Sequence, residues 1–358
     1  MLVYYLLFTF NIITIPINRY SQKTYWYLNA ILIWIIMAFK SFTVGSDTPA
    51  YVSLYRNAST TIIPKNFVNW LFPANGARFE NGYLVLNKFL ASIDSNPRFL
   101  FVTVACIFIL CLTFMVQNLH LNPIMGILTF ECLGFLAFFM SGLRQALACS
   151  FCMVAFVFAI KREPVKFILF YYLALSMHVS AIVFAVVYLI NFLGDNLKSK
   201  ISVVFISLIF FFSFDGLFAS VATNSNSEEM SGFATSTENS GGILNVTLSI
   251  LIIITILIAV RYIDLPKNDH KPYTFSKYML YGAIIYYLLS LRSTQLARIA
   301  IYFEIGYFPL LSYLFDFTKQ KFRFVYQSII ITILIVYIFV ILIFRPEWTH
   351  IVPYSFCF

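Results

Sequence analysis

Apolar residues run in blocks of bilayer-crossing length from one end of this chain to the other, with short polar segments between them. Roughly 20 apolar residues carry a helix across the hydrocarbon. Backbone in lipid must satisfy its own hydrogen bonds, so such blocks form helices. The pattern predicts spans at about 1–17, 24–43, 98–118, 122–141, 143–160, 201–218, 244–260, 278–291, 299–315 and 325–343. The first block, MLVYYLLFTFNIITIPINRY, lacks a basic leader and a small-residue cleavage site, so it reads as a retained span. One further apolar stretch, 166–193, is too long for a plain span.

The polar segments carry the sidedness. Basic residues cluster at Arg19/Lys23, Lys161/Arg162/Lys166, Lys198/Lys200, Arg261/Lys267/Lys271/Lys277 and Lys319/Lys321/Arg323. All five clusters lie on the cytoplasmic side, as positive-inside topology prefers, only if the chain crosses an even number of times between Lys166 and Lys198. A re-entrant hairpin of two short helices meets that condition and puts His178, in LSMHVSA, near its turn. Segments at about 44–97 and 219–243 then fall outside, with the junctions around Arg144 and 292–298 and the tail from Arg345. The fold class is all-α: a polytopic integral membrane protein of about 10 full spans plus the hairpin, one membrane domain over 1–358.

Composition agrees. Of 358 residues, 61% are hydrophobic and 11% charged, with mean hydropathy +0.85. Soluble proteins carry about 25% charged residues. A soluble enzyme, a disordered tail and a disulfide-stapled secreted domain are therefore excluded. The net charge of +9 sits mostly in the inter-span segments, which points to membrane topology and not to nucleic acid. The six cysteines lie mostly inside apolar runs without metal-site spacing, and read as small buried hydrophobes. No nucleotide, metal or nucleophile-elbow motif occurs, so no cofactor is expected.

A few polar residues stand out. The 44–97 loop carries Asp47 and Tyr51 in VGSDTPAY, then Arg78, Glu80 and Tyr83 in RFENGYLVLN. Aromatics over sugar rings and carboxylates on hydroxyls build carbohydrate sites, although an ordinary solvated loop is the plainer reading. Arg144, followed by Gln145, sits at a junction between two spans. An arginine there either snorkels to the headgroups or has an anionic partner, and its fork suits a phosphate or pyrophosphate. Arg292 and Arg298 flank another outer junction, where topology alone disfavours positive charge. His178 is either a satisfied core residue or, at a break in the membrane, a group that moves protons. Glu131 and Glu304 lie inside spans and are the natural ion-pair partners for such arginines.

Taken in order, these residues resemble a known family. Gly45-Ser-Asp47-Thr-Pro-Ala-Tyr51, Glu80-Asn-Gly82-Tyr83, Leu143-Arg144-Gln145-Ala146, His178-x-Ser180-Ala181, Arg298-x-x-x-Tyr302-Phe303 and Trp348-x-x-x-x-Pro353-Tyr354 cover nearly the whole chain. The pattern is similar to the EpsG family, which includes Wzy-type O-antigen and capsule polymerases. The resemblance implies a GT-C-like enzyme of the bacterial inner membrane with its site facing the periplasm. It would join undecaprenyl-pyrophosphate-linked oligosaccharide repeat units without a metal, in contact with membrane lipid and with a chain-length regulator of the co-polymerase type as partner. Arg144, Arg298 and, more weakly, Arg292 are expected to neutralise the pyrophosphate. His178, Asp47 and Glu80 are the candidates for the base, His178 first; Arg78, Gln145, Tyr51 and Tyr83 are candidate glycan contacts. A flippase for the lipid-linked unit, an O-antigen ligase and an O-acetyltransferase are the competing classes.

Overall fold

A computed structural model of the protein describes residues 1–60, 79–193, 242–263, 265, 270–291, 295–317 and 323–357. The expected span at 201–218, the 219–243 loop up to 241, Lys198 and Lys200, and the site candidates Arg78 and Arg292 lie outside the described residues.

The described chain is helical, with no strand among the described residues beyond one isolated bridge between Lys40 and Phe356. Its helices are α1 (Leu2–Tyr20), α2 (Gln22–Ala38), α3 (Thr48–Arg56), α4 (Asn81–Ile93), α5 (Arg98–Asn118), α6 (Pro123–Cys132), α7 (Phe135–Ser141), α8 (Leu143–Lys161) and α9 (Pro164–Met177). After a largely 3₁₀ return over 179–192 come α10 (Gly242–Ala259), α11 (His270–Ser290), α12 (Gln295–Glu304), α13 (Tyr307–Asp316) and α14 (Arg323–Phe344). Among the described residues, five segments are long and apolar enough to cross a bilayer: α1, α5, α8, α10 with its extension to Tyr262, and α14. The bent pair α6–α7 has the combined length and hydropathy of a sixth.

Two expected spans are thus interrupted. The block at 122–141 bends by 56° between α6 and α7. Gly134 makes the bend with φ of +88°, a left-handed conformation that side chains resist. The block at 299–315 breaks at Ile305–Gly306, where Gly306 lies so close to Ser276 that a Cβ would sit 2.7 Å from its carbonyl oxygen. Hydropathy sees neither break, because the residues around both glycines stay apolar.

α8 is buried on almost every side, and it is rich in Ala, Cys and Ser. Small side chains let neighbouring helices approach closely, which is how membrane helices pack without a hydrophobic drive. By contrast, α1, α10 and α14 expose Leu6, Ile13, Leu251, Ile333 and Val336, as lipid-facing helices do.

Hydrogen bonds define the two ends of the bundle. At one end Arg162 Nε donates to Asn191 Oδ1 at 3.3 Å, and Asn191 Nδ2 donates to the Ala159 carbonyl at 2.9 Å. The 164–192 segment therefore leaves this end and returns to it, with His178 at its turn. Lys161 and Lys271 bond to Asn118 and the Ile160 carbonyl at the same end. At the other end, the C-terminal tail is stitched to the segment after α2: Ser41 N donates to Ser355 O at 2.8 Å and Gly45 N to His350 O at 2.9 Å. Tyr4 Oη reaches Ile351 O at 3.0 Å, bringing α1 to the same seam.

Candidate active site

The site grows from that second end. Arg98 Nη1 donates to the Ala38 and Lys40 carbonyls at 2.8 and 2.6 Å, bolting the start of α5 to the end of α2. Lys40 is buried, and its Nζ donates to Val44 O and Thr48 Oγ1, both at 2.6 Å. These bonds fold the Val44–Thr48 loop back over the bundle. Gly45, with φ of +91°, lies where a Cβ would be 2.4 Å from the Met140 carbonyl oxygen, so only glycine fits. The loop places Asp47 at the start of α3.

Asp47 and Glu80 both occupy N-cap positions, yet neither side chain caps its helix. Their carboxylates are used elsewhere. Glu80 is buried and reaches across to α8, where Arg144 Nη1 donates to its Oε2 at 2.7 Å. Its Oε1 accepts the Val179 backbone N–H at 3.1 Å, in the turn of the 164–192 hairpin. One carboxylate thus ties α4, α8 and the hairpin together. An arginine in the first turn of a helix opposes the positive dipole end; Glu80 offsets that. The guanidinium also lies over the Phe79 ring at 4.8 Å, with the Tyr51 phenol close enough to feel its charge. Burial pushes the Tyr51 phenol above its ordinary pKa despite the nearby Arg144 charge, so it stays neutral. Burial does the same, more strongly, to Tyr83, which packs edge-on against Tyr51 at 5.7 Å between centroids.

His178 caps the end of α9. Its Nδ1 accepts the Ser180 backbone N–H at 3.1 Å and lies 2.8 Å from Ser180 Oγ, which in turn lies 2.9 Å from Tyr302 Oη. An amide N–H only donates, so Nδ1 is an acceptor and a neutral ring carries its proton on Nε2. Glu80 Oε1 is 3.7 Å from Nδ1, beyond a hydrogen bond.

These groups converge on one cavity of about 370 Å³. Asp47, Tyr51, Arg144, Gln145, His178 and Arg298 all line it, so six of the ten candidates share one space. Gln145 Nε2 donates to the Arg298 carbonyl at 2.8 Å and so holds α12 beside α8. Among the described residues, no ion pair or hydrogen bond engages the Arg298 guanidinium, which is exposed at the cavity. Tyr83 and Glu80 stand behind this wall instead of in it. Among the described residues neither Glu131 nor Glu304 pairs with an arginine: Glu131 accepts from Asn11 Nδ2, and Glu304 from Tyr287 Oη. Each glutamate is packed among the interrupted helices, out of reach of the ion pair that Glu80 makes instead. Ser180, Tyr302, Trp348 and His350 belong to the site without having been singled out for it. For Ser180, Tyr302 and Trp348 the signal was position within the ordered motifs, and His350 had none; the bond between Ser180 and Tyr302 crosses helices.

The arrangement defines a polytopic membrane protein with a cationic cavity opening at one end of its helix bundle. The chain belongs to the EpsG family, whose profile matches residues 23–356, and that family is Wzy-type polymerase-like. No curated protein and no solved structure matches the chain.

Proposed function

We propose that this protein joins lipid-linked oligosaccharide repeat units into a surface polysaccharide at the outer face of the bacterial inner membrane. The donor is a glycan on undecaprenyl pyrophosphate, and the acceptor is a sugar hydroxyl of a second lipid-linked unit. Family membership supports the polymerase class. The observation that carries the chemistry is the cavity that brings Arg144, Arg298, His178 and Asp47 together.

In this reading the acceptor oxygen attacks the anomeric carbon as the bond from that carbon to the pyrophosphate oxygen breaks. Negative charge grows on the departing pyrophosphate. Fixed cationic donors aimed at developing charge are worth most at a low-dielectric, preorganised surface. Arg298, whose guanidinium has no hydrogen-bond or ion-pair partner among the described residues, takes the pyrophosphate, and Arg144 adds charge from a position that Glu80 holds rigid. No metal is invoked, because the arginines supply the charge. His178, with its proton on Nε2, serves as a donor to the same oxygens. The acceptor's proton passes to Asp47, whose only side-chain hydrogen bond among the described residues comes from Ser46 Oγ at 3.3 Å. A carboxylate so lightly held is suited to accept a proton and release it to water. Glu80, already engaged on both oxygens, acts as a positioning residue.

The test is the polysaccharide ladder of a strain lacking the gene, complemented with variants. Arg298→Ala is the clean choice, since Arg144→Ala would also strand the buried Glu80. Arg298→Ala is expected to leave single repeats and cut polymer by about a hundredfold or more. A full-length ladder from that variant would overturn the assignment. Loss of even the single repeat on deletion of the gene would place the protein upstream, at flipping or ligation.

A further inference from the structure

The cavity continues inward beyond the arginines. Its deeper wall is made by Asn245 and Ser249 of α10, Tyr287 of α11, Glu304 at the end of α12, Tyr307 of α13 and Tyr337 of α14. None of these six has a part in the chemistry above. Tyr337 lies about two helical turns before the end of α14, or ~10 Å below the mouth. Polar groups at such depth are costly unless they line a cavity or find partners.

Glu304 is buried, and Tyr287 Oη donates to its Oε1 at 2.5 Å. Both interrupted spans end here as well. α6 stops just before Leu133 and Gly134, which line the cavity, and a Cβ on Gly134 would meet nothing within 4 Å. α12 stops at Glu304 itself. Each break also starts a new helix, α7 at Phe135 and α13 at Tyr307, so the helix-end dipoles largely offset one another and the buried Glu304 carboxyl is what marks the floor. Along α10 the lining passes from Asn245 through Ser249 to Ile252, while Ile256 and Leu257 are packed core, so the cavity stops there.

The cavity is therefore two-ended: cationic at the mouth, acceptor-rich and ringed with tyrosines at the floor. Among the described residues no cation lines that floor to hold an anion, and a hydrocarbon tail gains nothing from Glu304, Asn245 or Ser249. A pyranose ring matches it, with hydroxyls donating to the carboxylate and apolar faces lying on the phenol rings. Cavities of ~300–1,000 Å³ bury small ligands well. A closed end also suits a chain terminus better than a ring substituted on both sides. We propose that the floor is the subsite for the non-reducing-terminal sugar of the acceptor unit, with Glu304, Tyr287 and Tyr337 as its recognition residues. This rests on the polymerase reading, and it adds which end of which substrate enters the membrane.

The experiment measures binding directly, so that it stands apart from polymer formation. Full-length protein in lipid nanodiscs is titrated with the repeat-unit oligosaccharide released from its lipid, and separately with inorganic pyrophosphate. Saturation-transfer NMR identifies which ring makes contact. Glu304→Gln and Tyr337→Phe should each weaken oligosaccharide binding by about tenfold while pyrophosphate binding is kept. Contact should be strongest at the non-reducing-terminal ring. Arg298→Ala should do the reverse. Tyr337→Phe removes a single hydroxyl and keeps the test valid if Glu304→Gln fails to fold. Unchanged oligosaccharide binding in both floor variants, or strongest contact at the reducing end, would overturn the subsite whatever the ladder shows. So would a sodium dependence of wild-type activity that Glu304→Gln abolishes, which would make the floor a cation site. A failure of the polymerase reading itself would appear instead in the Arg298→Ala ladder.

Discussion

Asp47 and Glu80 are both carboxylates at helix starts, and their surroundings give them different work. Glu80 is buried with both oxygens occupied, one by Arg144 and one by the Val179 N–H. Removing one partner of a buried ion pair strands the other, at a cost of about 3–5 kcal/mol. Glu80→Ala should therefore lower the unfolding temperature of the purified protein sharply and abolish activity with it. Asp47→Asn should leave stability within ~0.5 kcal/mol, as changes away from buried networks do, while transfer falls about a hundredfold. Wild-type turnover in Asp47→Asn would remove it as the proton acceptor. The sequence placed both residues, and His178, at the outer face and put His178 first as the base, where the proposed chemistry now puts Asp47. Rank depends on which oxygens are already bonded, and those bonds come from α8 and the hairpin turn, far away along the chain.

At the scale of elements, the site depends on how closely α4 lies against the end of α9. Gly82 allows this: a Cβ there would sit 2.5 Å from the Ser176 carbonyl oxygen. Gly82→Ala should push α4 outward and draw Glu80 away from Arg144. Forcing extra volume into such a contact costs about 1–3 kcal/mol. Both the unfolding temperature and the transfer rate should drop, and wild-type values for both would show that the contact does not set the site. Most helices were legible in the apolar pattern; the span expected at 98–118 coincides with α5 (Arg98–Asn118). The breaks at Gly134 and Gly306 were not. A glycine in an apolar run is silent about conformation until a neighbour, here Ser276 beside Gly306, dictates the approach.

For the whole molecule the question is orientation. Lys161, Arg162, Lys271 and Arg323 gather at one end of the bundle, and the cavity opens at the other. Positive charge resists translocation, so the proposed function puts the basic end in the cytoplasm and the cavity outside. Single cysteines in a cysteine-free background test this in intact cells whose outer membrane is permeable to the reagent. A membrane-impermeant maleimide should label Ser46→Cys, at the cavity, and leave Lys166→Cys unlabelled until the inner membrane is opened. The reverse pattern would turn the protein over and remove the outer-face site.

The sequence by itself determined the class of the molecule. Apolar blocks of bilayer length have no soluble alternative, and basic clusters on alternate junctions demanded that the 164–192 segment return to its own side. It also marked, through ordered motifs, most of the residues that meet at the site. Tertiary structure alone decided that Glu80 pairs with Arg144, that His178 accepts at Nδ1, and that Glu131 bonds to Asn11 and Glu304 to Tyr287. It alone assembled a cavity with a cationic mouth and a carboxylate floor. The physical reason is range. Hydropathy and positive-inside bias act on each segment separately and can be read along the chain. Ion pairs, tautomers and cavities exist only between segments, and packing chooses which segments meet.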